Sequence, residues 1–204
     1  SGPQRVRDIL GEAAKPVEPE TRLIQEQVHR IRLIVAKLLQ FARPQDYVGY
    51  LEPVAPQALI QDSLVLVRHL LKTGNIAIEQ HLDSTRRITC NKNELQQVVI
   101  NLLVNAIQAM PDGGLLKIVV EDWDEADMPV GIRVIVSDSG PGIGQADLDK
   151  LFEPFFTAKK PGGHGLGLWV SKNLVERYGG RLSAASTVGQ GASFVVWLRC
   201  EPLS

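Results

Sequence analysis

Residues 94–106 read ELQQVVINLLVNA, an apolar helical segment that two asparagines interrupt. Asn101 and Asn105 are about one helical turn apart, so their carboxamides share one face of the helix. Asparagine is a poor helix former and is costly to bury without a hydrogen-bond partner. Two interpretations stay open. The carboxamides hydrogen-bond to neighbouring backbone, or their oxygens bind a hard cation such as Mg²⁺ together with phosphate oxygens.

The pattern on both sides of this helix predicts an α+β fold. Strands and helices do not alternate strictly, which favours a mixed or antiparallel sheet with helices on one face over a doubly wound sheet. Helices are predicted over 56–71, 91–110 and 166–178, and strands over 76–82, 115–122, 132–138, 181–187 and 193–199.

A second polar motif, DSGPGIG at 138–144, follows a predicted strand directly. One interpretation is a tight turn, since aspartate and glycine are common turn formers. The other is a base-binding loop. The carboxylate of Asp138 can accept a hydrogen bond from the exocyclic amine of adenine, and glycines let the backbone approach a ring closely.

A third motif, PGGHGLGL at 161–168, leads into a helix. Glycine-rich backbone at a helix N-terminus offers free N–H groups to a phosphate chain. It lacks the G-x-x-x-x-G-K-[ST] pattern of the common triphosphate loop, and a flexible surface loop is the alternative. The preceding FEPFFTAKK at 152–160 suggests an anchored lid that offers positive charge, or else a hydrophobic plug followed by a solvated basic turn.

Upstream, residues 21–42 carry a heptad seam, which predicts a long helix packed against partner helices or a second subunit. Pro44 ends this helix, and the three prolines within 44–56 indicate a linker. The seam residues are Ile24, Val28, Ile31, Val35, Leu38 and Ala42.

The length, composition and charge are ordinary for a globular protein and exclude few classes of function. The chain has 204 residues and a formal net charge of −1, so no global field attracts nucleic acid or an anionic membrane. Two distant cysteines favour a reduced, cytoplasmic protein. No apolar run approaches the roughly 20 residues of a membrane span, although a longer parent could carry an anchor in the inner membrane.

Taken in order, the motifs ELxxVxxNLLxNA, DSGPGI, FEPFFTxK and GGHGLGL resemble the N box, first glycine box, F box and second glycine box of sensor histidine kinases. The ATP-binding domain of these kinases belongs to the gyrase/Hsp90/histidine kinase/MutL superfamily. The resemblance implies a two-layer α/β sandwich with a mixed sheet over 57–204, preceded by the heptad-patterned helix. Residues 1–43 would then be part of a dimerisation and histidine-phosphotransfer segment, with 44–56 as linker.

The resemblance also implies ATP and Mg²⁺ as ligands. Asn105, and with it Asn101, would contact Mg²⁺ and the phosphates, and Asp138 would recognise the adenine amine. His164 stands where the family more often has threonine or serine, and Ala192 stands where it often has threonine. The other ATP-binding positions that the resemblance implies are Gly140, Gly142 and Ile143 in the adenine loop, Thr157 and Lys159 in the lid, and Gly163, His164, Gly165, Leu166, Gly167 and Leu168 around the triphosphate.

The implied activity is phosphoryl transfer from ATP to a histidine, followed by relay to an aspartate of a response-regulator receiver domain. The implied parent is a homodimer, and the fragment itself would contact neither nucleic acid nor membrane. The family's acceptor box H-E-x-x-N/T-P is absent from the sequence, and His29 has the context of an exposed helix histidine. The fragment is therefore predicted to bind ATP without phosphorylating itself. The alternatives are a serine kinase of the same superfamily and a nucleotide-free binding or dimerisation module.

Overall fold

The computed structural model describes residues 50–125, 128–157 and 165–201. The chain divides into two units, Ser1–Tyr47 and Val48–Ser204, and all described residues lie in the second. The predicted heptad helix over 21–42 lies outside the described residues, as do Lys159, Gly163 and His164.

A five-stranded mixed sheet forms one layer of the fold, with the strand order β2-β4-β5-β7-β6. The β2–β4 pair is parallel and the other three pairs are antiparallel, which confirms the predicted α+β class with a mixed sheet. The described elements are β1 (Glu52–Val54), α1 (Pro56–Thr73), β2 (Ile76–Leu82), β3 (Ile88–Cys90), α2 (Lys92–Ala109), β4 (Gly114–Glu125), β5 (Met128–Asp138), α3 (Gln145–Leu148), α4 (Gly167–Arg177), β6 (Arg181–Ser186) and β7 (Ala192–Arg199).

Burial along the strands shows which face the helices cover. Every second residue is buried along the whole of β7 and from Leu116 to Val120 in β4, while the residues between them are partly exposed. The apolar stripe of α2 packs into the same core, with Leu102 and Leu103 fully buried. Because side chains alternate across a strand, this pattern confirms the prediction of helices on one face.

The ends of α2 follow from its sequence. The side chain of Asn91 accepts hydrogen bonds from the backbone N–H groups of Asn93 and Glu94, at 3.0 and 3.3 Å. Asparagine at this position satisfies donors that have no partner within the helix. The helix ends two residues before Pro111, so the predicted bounds of 91–110 differ from the observed ones by one residue at each end.

Two short strands were not predicted. β1 lies within the segment 44–56 that the prolines indicated as a linker, and it pairs antiparallel with β3, with Pro53 opposite Thr89. Three residues are too few to show a period, so the pairing depends on chain segments that only the folded protein brings together. The four-residue helix α3 also has no periodic pattern. Among the described residues, no helix has the length and apolar character that a membrane crossing requires.

The start of α2 is tied to the end of α4 by polar side chains. The Glu94 carboxylate accepts hydrogen bonds from the Arg177 guanidinium and the Tyr178 hydroxyl. The same hydroxyl accepts from the backbone N–H of Asn91 at 3.3 Å. Burial, and then the bond to Glu94, raise the pKa of Tyr178 to about 12. These contacts hold α2 and α4 against each other, and both helices belong to the polar motifs.

Tyr178→Phe should lower the free energy of unfolding, measured by urea denaturation at neutral pH, by about 1.5–3 kcal/mol, because the variant loses a hydrogen bond to a charged group. The phenol of an unfolded chain has a pKa near 10, below its folded value. The stabilisation is therefore complete below pH 10 and is lost as the pH rises toward 12, so the difference between wild type and variant should shrink over that range. Tyr50→Phe, at a side chain 86% exposed, is the control and should change nothing. A difference that stays constant between pH 9 and 12 would contradict this assignment.

Candidate nucleotide-binding site

The candidate site lies along one face of α2. Asn101, Asn105 and Ala109 follow one another at four-residue intervals, so they lie along the same side of the helix over about 12 Å. Both asparagines flank the buried apolar stripe and are themselves only partly buried. The predicted shared face of the two carboxamides is therefore present.

At one end of this face, Asn101 contacts the start of α4. Its Nδ2 donates hydrogen bonds to the Gly167 carbonyl at 3.3 Å and to the Ser171 hydroxyl at 3.2 Å. A Cβ on Gly167 would lie 3.8 Å from the Asn101 side chain. The carboxamide nitrogen thus faces α4, and the oxygen is the atom with the chemistry to bind a cation.

At the other end, Asp138 closes β5 next to the last turn of α2. The side chain is 8% exposed, and its Oδ1 accepts the backbone N–H of Gly140 at 2.9 Å. A Cβ on Gly140 would come within 2.8 Å of both that oxygen and the Ala109 carbonyl. Glycine is therefore required where the loop passes between the carboxylate and the helix. The loop meets α2 at Ala109, about one helical turn beyond Asn105.

The loop after Asp138 rests on the hairpin between β6 and β7. Gly142 has φ +74°, and a Cβ there would lie 2.3 Å from the Thr187 carbonyl. The backbone N–H of Gly189 donates to the Pro141 carbonyl at 2.8 Å. Ile143 packs against the hydrophobic core. The loop is thus a fixed wall beside the Asp138 carboxylate.

The two chain segments at the base, or stem, of the predicted lid pack against each other. Gly165 has φ +62°, and a Cβ there would lie 2.4 Å from the carbonyl carbon of Phe155 and 2.5 Å from the Phe156 oxygen. The residues that flank 158–164 are therefore in contact, and Thr157 lies exposed at the stem. Leu166 is 1% exposed, and Leu168 packs partly against the core.

Of the predicted residues, the structure brings Asn101 to Gly167 and Asp138 to Gly140, with Asn105 between the two pairs on α2. Two serines were missed: Ser171, which is fully buried and accepts from Asn101, and Ser186, which contacts the loop after Asp138. Ser171 lies one turn after Gly167, a spacing from which it could have been found. A lone serine at the end of a strand gives no such signal.

The donor set fits a nucleotide with a hard cation. A buried carboxylate beside close-packed glycine backbone suits a base amine, and carboxamide oxygens suit Mg²⁺. Within 50–125, 128–157 and 165–201, no group of three or more His, Cys, Asp or Glu side chains could hold a metal ion.

Residues 90–202 match the family model for histidine kinase-, DNA gyrase B-, and HSP90-like ATPases. The chain is 33% identical over 178 residues to the sensor histidine kinase ZraS of Escherichia coli (strain K12), covering 87% of this chain and 37% of that protein. It is 31% identical to the histidine-protein kinase AtoS of the same strain, over 97% of this chain and 32% of AtoS. The chain thus spans about a third of the length of these curated relatives. Among solved structures it resembles the catalytic domain of histidine kinase ThkA, with TM-score 0.68, 29% identity, and coverage of 76% of this chain and 98% of that domain.

Gly142→Ala should destabilise the protein by about 1–3 kcal/mol, because a side chain at positive φ is strained and its Cβ would collide with the Thr187 carbonyl. Gly144→Ala is the matched control in the same loop. Gly144 has φ −69°, and a Cβ there would meet no atom within 4 Å, so this change should be neutral or stabilise by up to about 1 kcal/mol. Urea denaturation of both variants measures the effect, and equal losses would show that the loop is not held against the hairpin.

Proposed function

Because the chain belongs to the family of histidine kinase-, DNA gyrase B- and HSP90-like ATPases, we propose that it binds ATP with Mg²⁺ as the kinase domain of a sensor histidine kinase. The match to this family confirms the resemblance that the four motifs indicated. One observation carries the proposal: Asn101, Asn105 and the Asp138 loop line a single face of α2, with a carboxylate at one end and the start of α4 at the other.

In this proposal, the parts of the nucleotide are assigned to residues as follows from the family resemblance. Asp138 accepts the hydrogen bond of the adenine amine, and Gly140, Gly142 and Ile143 form the wall beside the base. Asn105 and Asn101 hold Mg²⁺, which neutralises charge on the phosphates when bound. The phosphate contacts that we propose from the resemblance are those of Thr157, Lys159, Gly163, His164, Gly165, Leu166, Gly167 and Leu168.

The reaction is a displacement at the γ-phosphorus. A histidine nitrogen attacks, the bond from the γ-phosphorus to the β–γ bridging oxygen breaks, and ADP leaves. The chain contributes position and charge stabilisation rather than covalent chemistry. None of the four histidines lies in an acceptor box, so the acceptor is a histidine of a dimeric parent protein. The phosphoryl group then passes to an aspartate of a response-regulator receiver domain.

Asp138→Asn should weaken the binding of Mg-ADP at least about 10-fold, because the variant replaces a charged acceptor with an amide whose nitrogen can face the adenine amine. Isothermal calorimetry measures the affinity. A thermal-shift titration is the cross-check, since saturation at 100 times Kd stabilises the native state by about 2.7 kcal/mol. Asp147→Asn, at an exposed carboxylate on α3, is the control and should bind normally. No heat of binding to the wild type would refute the proposal.

In the parent protein, radiolabelled ATP should leave acid-labile phosphate on a histidine, while the 204-residue chain alone gains no label. Asn105→Ala in the parent should slow labelling at least about 10-fold, because Mg²⁺ and the phosphates lose a ligand. Acid-stable phosphate on the parent would point instead to a serine kinase, and stable histidine phosphate on the fragment would contradict the missing acceptor.

A further inference from the structure

The Ser186 hydroxyl joins the loop after Asp138 to the last hairpin. Its Oγ accepts the backbone N–H of Ile143 at 2.8 Å and donates to the Gly191 carbonyl at 2.6 Å. One side chain therefore bridges two backbone segments 48 residues apart in the sequence, Ile143 and Gly191. A hydroxyl that donates and accepts at once forms a short hydrogen-bond chain in which each bond polarises the next.

Ser186 shares a row of the sheet with Asp138. Asp138 lies opposite Ala192 in the β5–β7 pair, and Ser186 lies opposite Ala192 in the β6–β7 pair. Side chains opposite one another in neighbouring strands point to the same face of a sheet. Since Ala192 is buried, all three belong to the face that the helices cover. Ala192 carries only a methyl group and lies between Asp138 and Ser186 in this row.

Gly191 connects the hydroxyl to the Asp138 backbone. Gly191 has φ +80°, and a Cβ there would lie 1.8 Å from the Asp138 carbonyl oxygen. The carbonyl that Ser186 bonds thus belongs to a residue packed directly on the backbone of Asp138. Through Ser186, the position of Ile143 is therefore set relative to Asp138.

Two other contacts of this loop with the hairpin are made between backbone atoms. They are the bond from the Gly189 N–H to the Pro141 carbonyl at 2.8 Å and the close approach of Gly142 to the Thr187 carbonyl. Both lie before Ile143. Ser186 adds the restraint on the far side of the loop, and it is the part of this set that a side-chain substitution can remove.

Building on the proposed function, we infer that Ser186 is a positioning residue that sets the purine selectivity of the site. A carboxylate attracts the amine of adenine and repels the carbonyl oxygen that guanine carries at the same position. That discrimination requires the base to stay in register with Asp138, which the wall at Ile143 enforces. With the wall released, a guanine base can shift away from the carboxylate and bind with less penalty.

The test compares Ser186→Ala, Ser186→Thr and Ser193→Ala in calorimetric titrations with Mg-ADP and Mg-GDP. Threonine keeps the hydroxyl and suits a strand. Ser193 is the matched control. It lies in the same hairpin as Ser186 but on the opposite face of the sheet, where its hydroxyl bonds to that of Ser137 on β5 at 2.7 Å. Ser186→Ala should weaken Mg-ADP binding about 10-fold and lower the preference for ADP over GDP at least about 5-fold. Ser186→Thr and Ser193→Ala should keep the wild-type preference.

Amide hydrogen exchange without nucleotide tests the hydrogen bond itself. The Ile143 amide should exchange at least about 10-fold faster in Ser186→Ala than in the wild type, with little change in the core strands. If the wild type binds neither nucleotide, the proposed function fails. If the wild type binds Mg-ADP but Ser186→Ala keeps its selectivity or its Ile143 protection, the role of Ser186 is overturned while the proposed function stands.

Discussion

The burial of the apolar stripe of α2 against the sheet is the interaction on which the site depends. Seven of its side chains are buried, from Leu95 to Ile107, and each large aliphatic one stabilises the fold by roughly 1.5–3 kcal/mol. A helix held this firmly cannot rotate about its axis. Asn101 and Asn105 flank the stripe, so the core fixes the direction in which their carboxamides point. The polar bonds of Glu94 to Arg177 and Tyr178 then fix α4 against the same helix.

Close backbone approaches place the second half of the site. The chain passes Asp138 at three points where a Cβ would overlap other atoms: Gly140 against the Ala109 carbonyl, Gly142 against the Thr187 carbonyl and Gly191 against Asp138 itself. These contacts bring the end of β5, the end of α2 and the last hairpin together by direct approach of backbone atoms. The result is a carboxylate with rigid surroundings, which is the condition for selecting a base by one hydrogen bond.

The chemistry of the groups agrees with the proposed kinase function. Neutral carboxamides can bind Mg²⁺ without adding negative charge near phosphates, which carboxylates at the same positions would do. In the proposed role of Ser186, its hydroxyl restrains the loop beside the base by bonding to backbone groups of the protein. The lid stem at Phe155 and Gly165 lies by the start of α4, whose first residue contacts Asn101.

Local patterns in the sequence determined the α+β class, the helices on one face and the long elements to within a few residues, while the family resemblance implied that the sheet is mixed rather than antiparallel. These predictions succeed because the spacing of apolar residues shows which face of a helix or strand is buried, and this spacing is a local property of the sequence. The four motifs, by their order and resemblance, predicted Asn101, Asn105, Asp138 and the glycine loops as one site. Only the tertiary structure decided that β1 pairs with β3, that Tyr178 bonds to Glu94 and that Ser186 bridges Ile143 to Gly191. Each of these contacts joins residues far apart in the chain, and no period or local preference encodes a partner that folding alone brings within hydrogen-bond distance.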